Sequence, residues 1–146
     1  MAVTAKRVVI WRAEVENRPG ALAEALEPLA GMGTNLQVVM AYRYPGNEKR
    51  AAIEIYPVTG KKMSAAAKAS GFQPSSIPTL LVEGDDRAGL GYAISRAITD
   101  AGINLGFMVA QVMGRRYSCV LGFENESDAR KAAPLIKKTT ATKRRR

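Results

Sequence analysis

Residues 8–16 alternate, with Val9, Trp11, Ala13 and Val15 on one face and Ile10, Arg12, Glu14 and Glu16 on the other. That period of two predicts a half-buried strand. The turn Asn17-Arg18-Pro19-Gly20 then opens a helix whose apolar positions Leu22, Ala25, Leu26 and Leu29 follow i, i+3, i+4, i+7 spacing. Pro19 suits the first helical turn, where a missing N–H costs nothing, and Gly33 is placed to close the helix in a left-handed cap. Pro28 removes a hydrogen bond inside the helix, so the last turns should bend or shorten. Residues 35–44 read as a second strand, with Leu36, Val38, Met40 and Tyr42 on one face. Pro45-Gly46-Asn47 reverses the chain into a third strand, 50–57, with Ala51, Ile53 and Ile55 inward. A helix over 60–70 ends at Gly71, and 72–83 reads as the last strand of this unit running into the first strand of another.

The pattern then repeats. A helix over 88–101 carries Leu90, Ala93, Ile94, Ala97 and Ile98; strands at 104–113 and 117–123 flank a tight Gly114-Arg115 turn; a helix over 127–138 follows, with Ser127 as its cap. An offset of 69 residues aligns Arg18 with Arg87, Gly20 with Gly89, Gly33 with Gly102, Asn35 with Asn104, Leu36 with Leu105 and Ala41 with Ala110. The shared residues fall mainly at the two ends of one helix, where backbone geometry is most demanding, which argues for duplication. The order β-α-β-β-α-β is the split βαβ plan, giving an α+β fold of two ferredoxin-like modules with antiparallel sheets packed side by side. The expected modules are 1–75 and 76–138, with 139–146 a basic, solvated tail. The second copy lacks a convincing fourth strand.

Charge and composition narrow the function. Of the formal charge of +9, six positive residues lie in 137–146, leaving 16 basic against 13 acidic residues elsewhere. Most of the basicity therefore belongs to the tail. The chain has no histidine and a single cysteine, Cys119, which excludes an internal disulfide and a Cys/His zinc site. Cys119 alternates with Tyr117, Leu121 and Phe123 and reads as a buried hydrophobe. No apolar run reaches membrane-spanning length, and the start does not read as a signal peptide. A cytoplasmic protein without metal or cofactor is the expectation. No nucleophile–base set, paired carboxylates or phosphate loop points to an enzyme.

A strand followed by Asn17-Arg18-Pro19-Gly20-Ala21-Leu22, a helix, and then Gly33-Thr34-Asn35-Leu36 resembles the ACT domain. The second copy, with Asp86-Arg87-Ala88-Gly89-Leu90 and Gly102-Ile103-Asn104-Leu105, resembles it as well. The chain is thus similar to a stand-alone tandem ACT protein without a catalytic domain. That resemblance implies a regulatory protein binding an amino acid or related metabolite at the interface between ACT modules. The implied ligand-binding residues are Asn17, Arg18, Pro19, Gly20, Ala21 and Leu22 with Asn35 and Leu36, and Asp86, Arg87, Ala88, Gly89 and Leu90 with Asn104 and Leu105. Ala88 stands where the family has proline, and Asn17 where aspartate is more usual.

The chemistry fits an amino acid. A helix N-terminus offers N–H groups to a carboxylate, glycine lets a ligand approach the backbone, and Glu16, Asp85 and Asp86 can hold an ammonium group. The same glycines equally serve a tight turn, and Asn35 and Asn104 equally cap the turn after the helix. Trp11 reads as core. Tyr42, Tyr44 and Tyr56 cluster around the first hairpin. Apolar residues assigned to the far sheet face, Ile10, Val39, Met108, Val112 and Val120, favour packing on another module or chain and hence a homodimer. The partners expected are a small-molecule ligand, a second copy and a regulated protein. The alternative is an RNA-binding protein using the sheet and basic tail, through a segment 114–120 that echoes an RNA-recognition pattern.

Overall fold

A computed structural model of the chain describes residues 3–141. In chain order its elements are β1 (Thr4–Val8), β2 (Trp11–Glu16), α1 (Ala21–Ala30), β3 (Val38–Tyr44), β4 (Asn47–Tyr56), α2 (Gly60–Ala69), β5 (Gln73–Pro74), β6 (Thr79–Asp85), α3 (Leu90–Asp100), β7 (Leu105–Met113), β8 (Arg116–Phe123) and α4 (Glu126–Ala141). They form two four-stranded antiparallel sheets, ordered β3-β4-β2-β5 and β1-β6-β8-β7.

The strand expected across 8–16 begins at Trp11 as β2, and Val8 instead ends a separate strand, β1, which the alternation does not locate and which enters the other sheet. β1 pairs with β6, from Thr4 opposite Glu83 to Val8 opposite Thr79. The second module thus takes its fourth strand from the start of the chain, in the place that β5 holds beside β2 in the first. The first compact unit is therefore residues 9–76, and the second combines 77 onward with the leading strand. This differs from a single cut after residue 75. The exchange follows from burial: Val3, Ala5 and Val8 are all buried, and Ala5 joins Leu80, Val82 and Ile136 in the second core.

Each module has its own core between sheet and helices. In the first, Trp11, Ile53 and Ile55 of the sheet meet Leu29 of α1 and Ala67 of α2, with Phe72 beside them. The buried stripe of α1 is Ala21, Ala25 and Leu29, so Leu22 is turned outward. α1 stops at Ala30, two residues past Pro28, and the chain turns at Gly33 with φ +72°. The face of β3 is the reverse of the expected one. Val39 lies opposite Ile55 and Ala41 opposite Ile53, on the helix side, whereas Met40 and Tyr42 lie opposite Glu54 and Ala52. Apolar residues occupy both phases of this strand, so alternation alone leaves the face undetermined; pairing with β4 decides it. Likewise Met108 packs against the second core and Val112 lies opposite core residue Tyr117, so neither belongs to the far face.

α4 extends through Ala141, past the expected start of the tail at 139. Thr140, which is buried, accepts a hydrogen bond from the Val3 N–H at 3.4 Å and donates to the Ile136 carbonyl at 2.9 Å. Residues 142–146 of the expected tail lie outside the described residues. Asn125, rather than Ser127, caps α4: its Oδ1 accepts from the Asp128 N–H at 2.8 Å. Asn125→Ala should lower stability by about 1 kcal/mol, read as a shift in thermal midpoint, whereas Ser127→Ala should leave it unchanged.

Candidate functional site

The two strand–helix loops close in the same way. Gly20 has φ +89° and Gly89 φ +81°, values that side chains rarely adopt. The Ala21 N–H donates to the Arg18 carbonyl at 3.3 Å, and the Leu90 N–H to the Arg87 carbonyl at 3.2 Å. Each loop is anchored to the neighbouring hairpin by a 2.8 Å backbone bond, from the Asn17 N–H to the Lys49 carbonyl and from the Asp86 N–H to the Arg115 carbonyl, and the Asn17 side-chain amide donates further to the Glu48 carbonyl at 2.7 Å. Pro19 and Ala88 occupy equivalent positions in these loops, and both loops close with the same hydrogen bond to an arginine carbonyl.

In the first module the loop borders a cavity of about 250 Å³, just below the ~300–1,000 Å³ usual for ligand pockets. Four of the expected residues, Asn17, Arg18, Ala21 and Leu22, line it. Sequence reasoning missed the wall opposite, made by Ala41, Tyr42 and Arg43 of β3 and Ala51, Ala52 and Ile53 of β4. The available signal was the alanines, small and poorly suited to strands, where larger β-branched residues would close the space. A second cavity of about 300 Å³ lies between the loop, α1 and Ala69-Ser70, sharing Val15, Glu16, Arg18 and Ala21 with the first.

Charge is arranged unevenly around this loop. Arg18 clasps Glu24 through Nη2–Oε1 at 2.7 Å and Nη1–Oε2 at 3.0 Å, with Glu16 at 3.5 Å. Hydrogen bonding to Glu24 raises the Arg18 pKa, and Arg18 in turn holds the Glu24 carboxyl below its usual value. Arg18 is therefore committed as a wall. Arg43 is looser, 3.7 Å from the highly exposed Glu48. Tyr42 is fixed from behind: its hydroxyl donates to Glu54 at 2.6 Å, and burial, then that bond, raises its pKa. Glu54 is buried on the sheet face away from the helices, with Arg12 Nε 4.0 Å from its carboxylate. Arg12 also binds Glu14 at 2.9 Å and the Tyr44 hydroxyl at 2.6 Å; these bonds outweigh its partial burial and raise its pKa.

The remaining expected residues are placed differently. Pro19 and Gly20 shape the turn. In the second module Asp86, Arg87, Ala88 and Gly89 are exposed, while Leu90 is core. Asn104 binds the Glu124 carboxylate at 3.0 Å, and Leu105 packs against the core. Asn35 is exposed and Leu36 half-buried. Within a module, α1 or α3 separates the loop from the Asn-Leu step by ~15 Å of helix, so neither Asn35 nor Asn104 joins its own loop. Among the described residues no cluster of His, Cys, Asp and Glu could hold a metal ion, and no helix is long and apolar enough to cross a membrane. Cys119 is fully buried, and burial pushes its thiol up to about 11, unlike a nucleophile. Tyr117, the aromatic of the 114–120 segment, is buried in the core and offers no face for base stacking.

No family model and no curated protein matches this sequence. Solved structures do match it. Protein BT0572 from Bacteroides thetaiotaomicron aligns over 88% of this chain and 87% of its own, at 17% identity and a TM-score of 0.71. The ligand-free regulatory subunit of aspartate kinase from Thermus thermophilus aligns over 95% and 97%, at 14% identity and a TM-score of 0.63. Aspartate kinase from Synechocystis aligns over 97% of this chain but 27% of its own, at 14% identity and a TM-score of 0.59. Identities this low speak to fold alone: the chain has the tandem ACT-type fold of aspartate kinase regulatory subunits.

Proposed function

We propose that this protein is a non-catalytic regulator that binds a free amino acid, or a related small zwitterion, beside the strand–helix loop of its first module. The observation that carries the reading is the cavity of about 250 Å³ walled by small side chains and bordered by both signs of charge. The first turn of α1 and Arg43 suit a carboxylate, and Glu16 suits an ammonium group. The likeness to aspartate kinase regulatory subunits supports a role in regulation. Exposed Val109, Met113 and Tyr92 support association with a second copy. Ligand binding would favour one packing of modules, and a partner protein would read the change.

A thermal-shift screen against the twenty amino acids tests this. Saturation at a hundredfold over Kd adds ~2.7 kcal/mol, or roughly 5–10 °C for a chain of this size. A flat profile across all twenty would overturn the reading. Gly20 is a poor position for the matching variant, because its positive φ makes any side chain a test of the turn. Ala51→Leu instead fills the cavity from its wall, and should abolish the shift in a protein that still folds cooperatively. A full shift in that variant would place the site elsewhere.

A further inference from the structure

We infer that the second module's counterpart of this cavity is filled by Tyr117, so that of the two strand–helix loops among the described residues the first carries the open site. The inference rests on the proposed ligand site for its consequence, but on side-chain sizes for its substance. Strand pairing makes the two modules directly comparable. Val15 lies opposite Ala51 in the first and Gly84 opposite Tyr117 in the second. The repeat offset of 69 equates Val15 with Gly84 and Leu22 with Gly91, so Tyr117 stands where Ala51 lines the open cavity.

The neighbouring residue changes in the opposite sense. The first module has small Ala51 in the wall and large Leu22 at the rim, 39% exposed. The second has Tyr117, 5% exposed, and no side chain at Gly91. A Cβ on Gly91 would lie 3.5 Å from the Tyr117 hydroxyl, so any longer side chain there would meet it. Val3 closes the same region from the other side. It is buried against Gly84, where a Cβ would come within 2.8 Å of the Val3 Cα. Among the described residues the Tyr117 hydroxyl has no oxygen or nitrogen hydrogen-bond partner, only the weakly interacting Cys119 thiol beside it. Leaving a buried donor unmade is unfavourable, which suits a ring retained for its volume rather than for a polar bond.

A reciprocal exchange tests this without a known ligand. Ala51→Tyr alone should overpack the first module and lower its thermal midpoint by roughly 5 °C. Combined with Leu22→Gly, it should recover about that much relative to the sum of the two single shifts. Additive shifts would overturn the inference, because the tyrosine would then not occupy equivalent space. Native mass spectrometry with the pooled twenty amino acids supplies the second measurement. Wild type should retain one molecule per chain, the Leu22→Gly/Ala51→Tyr pair none, and Tyr117→Ala two if it folds. Two molecules on wild type would overturn the inference. Recovery of stability with no amino acid retained would reject the ligand reading and uphold the filling by Tyr117.

Discussion

Removing the chain up to Val8 is expected to unfold the second module while the first keeps its sheet. β1 is the whole of that module's edge beside β6, and none of its residues enters the first core. Val3 and Val8 are 4% and 5% exposed, and fully burying such side chains is worth ~1.5–3 kcal/mol each. Loss of five paired positions and of the Arg7–Glu126 pair at 2.9 Å comes in addition. A total of roughly 4–6 kcal/mol is comparable with the whole stability of a small domain. The truncated protein should therefore melt in two transitions, with β6 and β8 amides losing protection from hydrogen exchange. A single transition near the full-length midpoint would refute it. Gly84→Val should act at the same joint from the other side, since its Cβ would come within 2.7 Å of Val3. Acid should loosen the joint too. Arg7 holds the Glu126 carboxyl below its usual value, so its contribution is complete above the ordinary carboxylate range and is lost as pH falls through the lowered value.

Arg12→Met should be the second most damaging change, at about 3 kcal/mol. It leaves the carboxylate of buried Glu54 with the Tyr42 hydroxyl but without its nearby cation. Side-chain solvation of Arg12, which is 26% exposed, argues against a larger figure. The double variant Arg12→Met/Glu54→Leu should recover most of the loss, because an ion pair removed whole leaves no uncompensated charge. Chemical denaturation of the four proteins of this cycle measures the coupling. Losses that simply add would mean that Glu54 is satisfied without Arg12.

Much of this was legible in the chain. Periodicity located the helices because one face of each must be apolar, and Gly20 and Gly89 marked the loops because a positive φ excludes most other residues. Alternation failed at β3, where Val38, Val39, Met40 and Ala41 are apolar in both phases. It also missed β1, of which only Val8 falls inside the 8–16 alternation, since the break at Val9 and Ile10 lies between two apolar residues and leaves no local signal. Of the candidate site, the loop half was legible and the strand half was not. Ala41, Ala51 and Ala52 matter only for the space they leave, and space depends on what stands opposite.

The duplication, with two like loops entering two helices, can be read from the chain without its fold. Those are local matters of backbone sterics and short-range periodicity. The tertiary structure alone decided that the first strand completes the second module, that the cavity is open where Ala51 lies, and that Tyr117 stands at the matching position. Each of these depends on pairing between residues far apart in the chain, where register and side-chain volume, rather than neighbouring sequence, set the outcome.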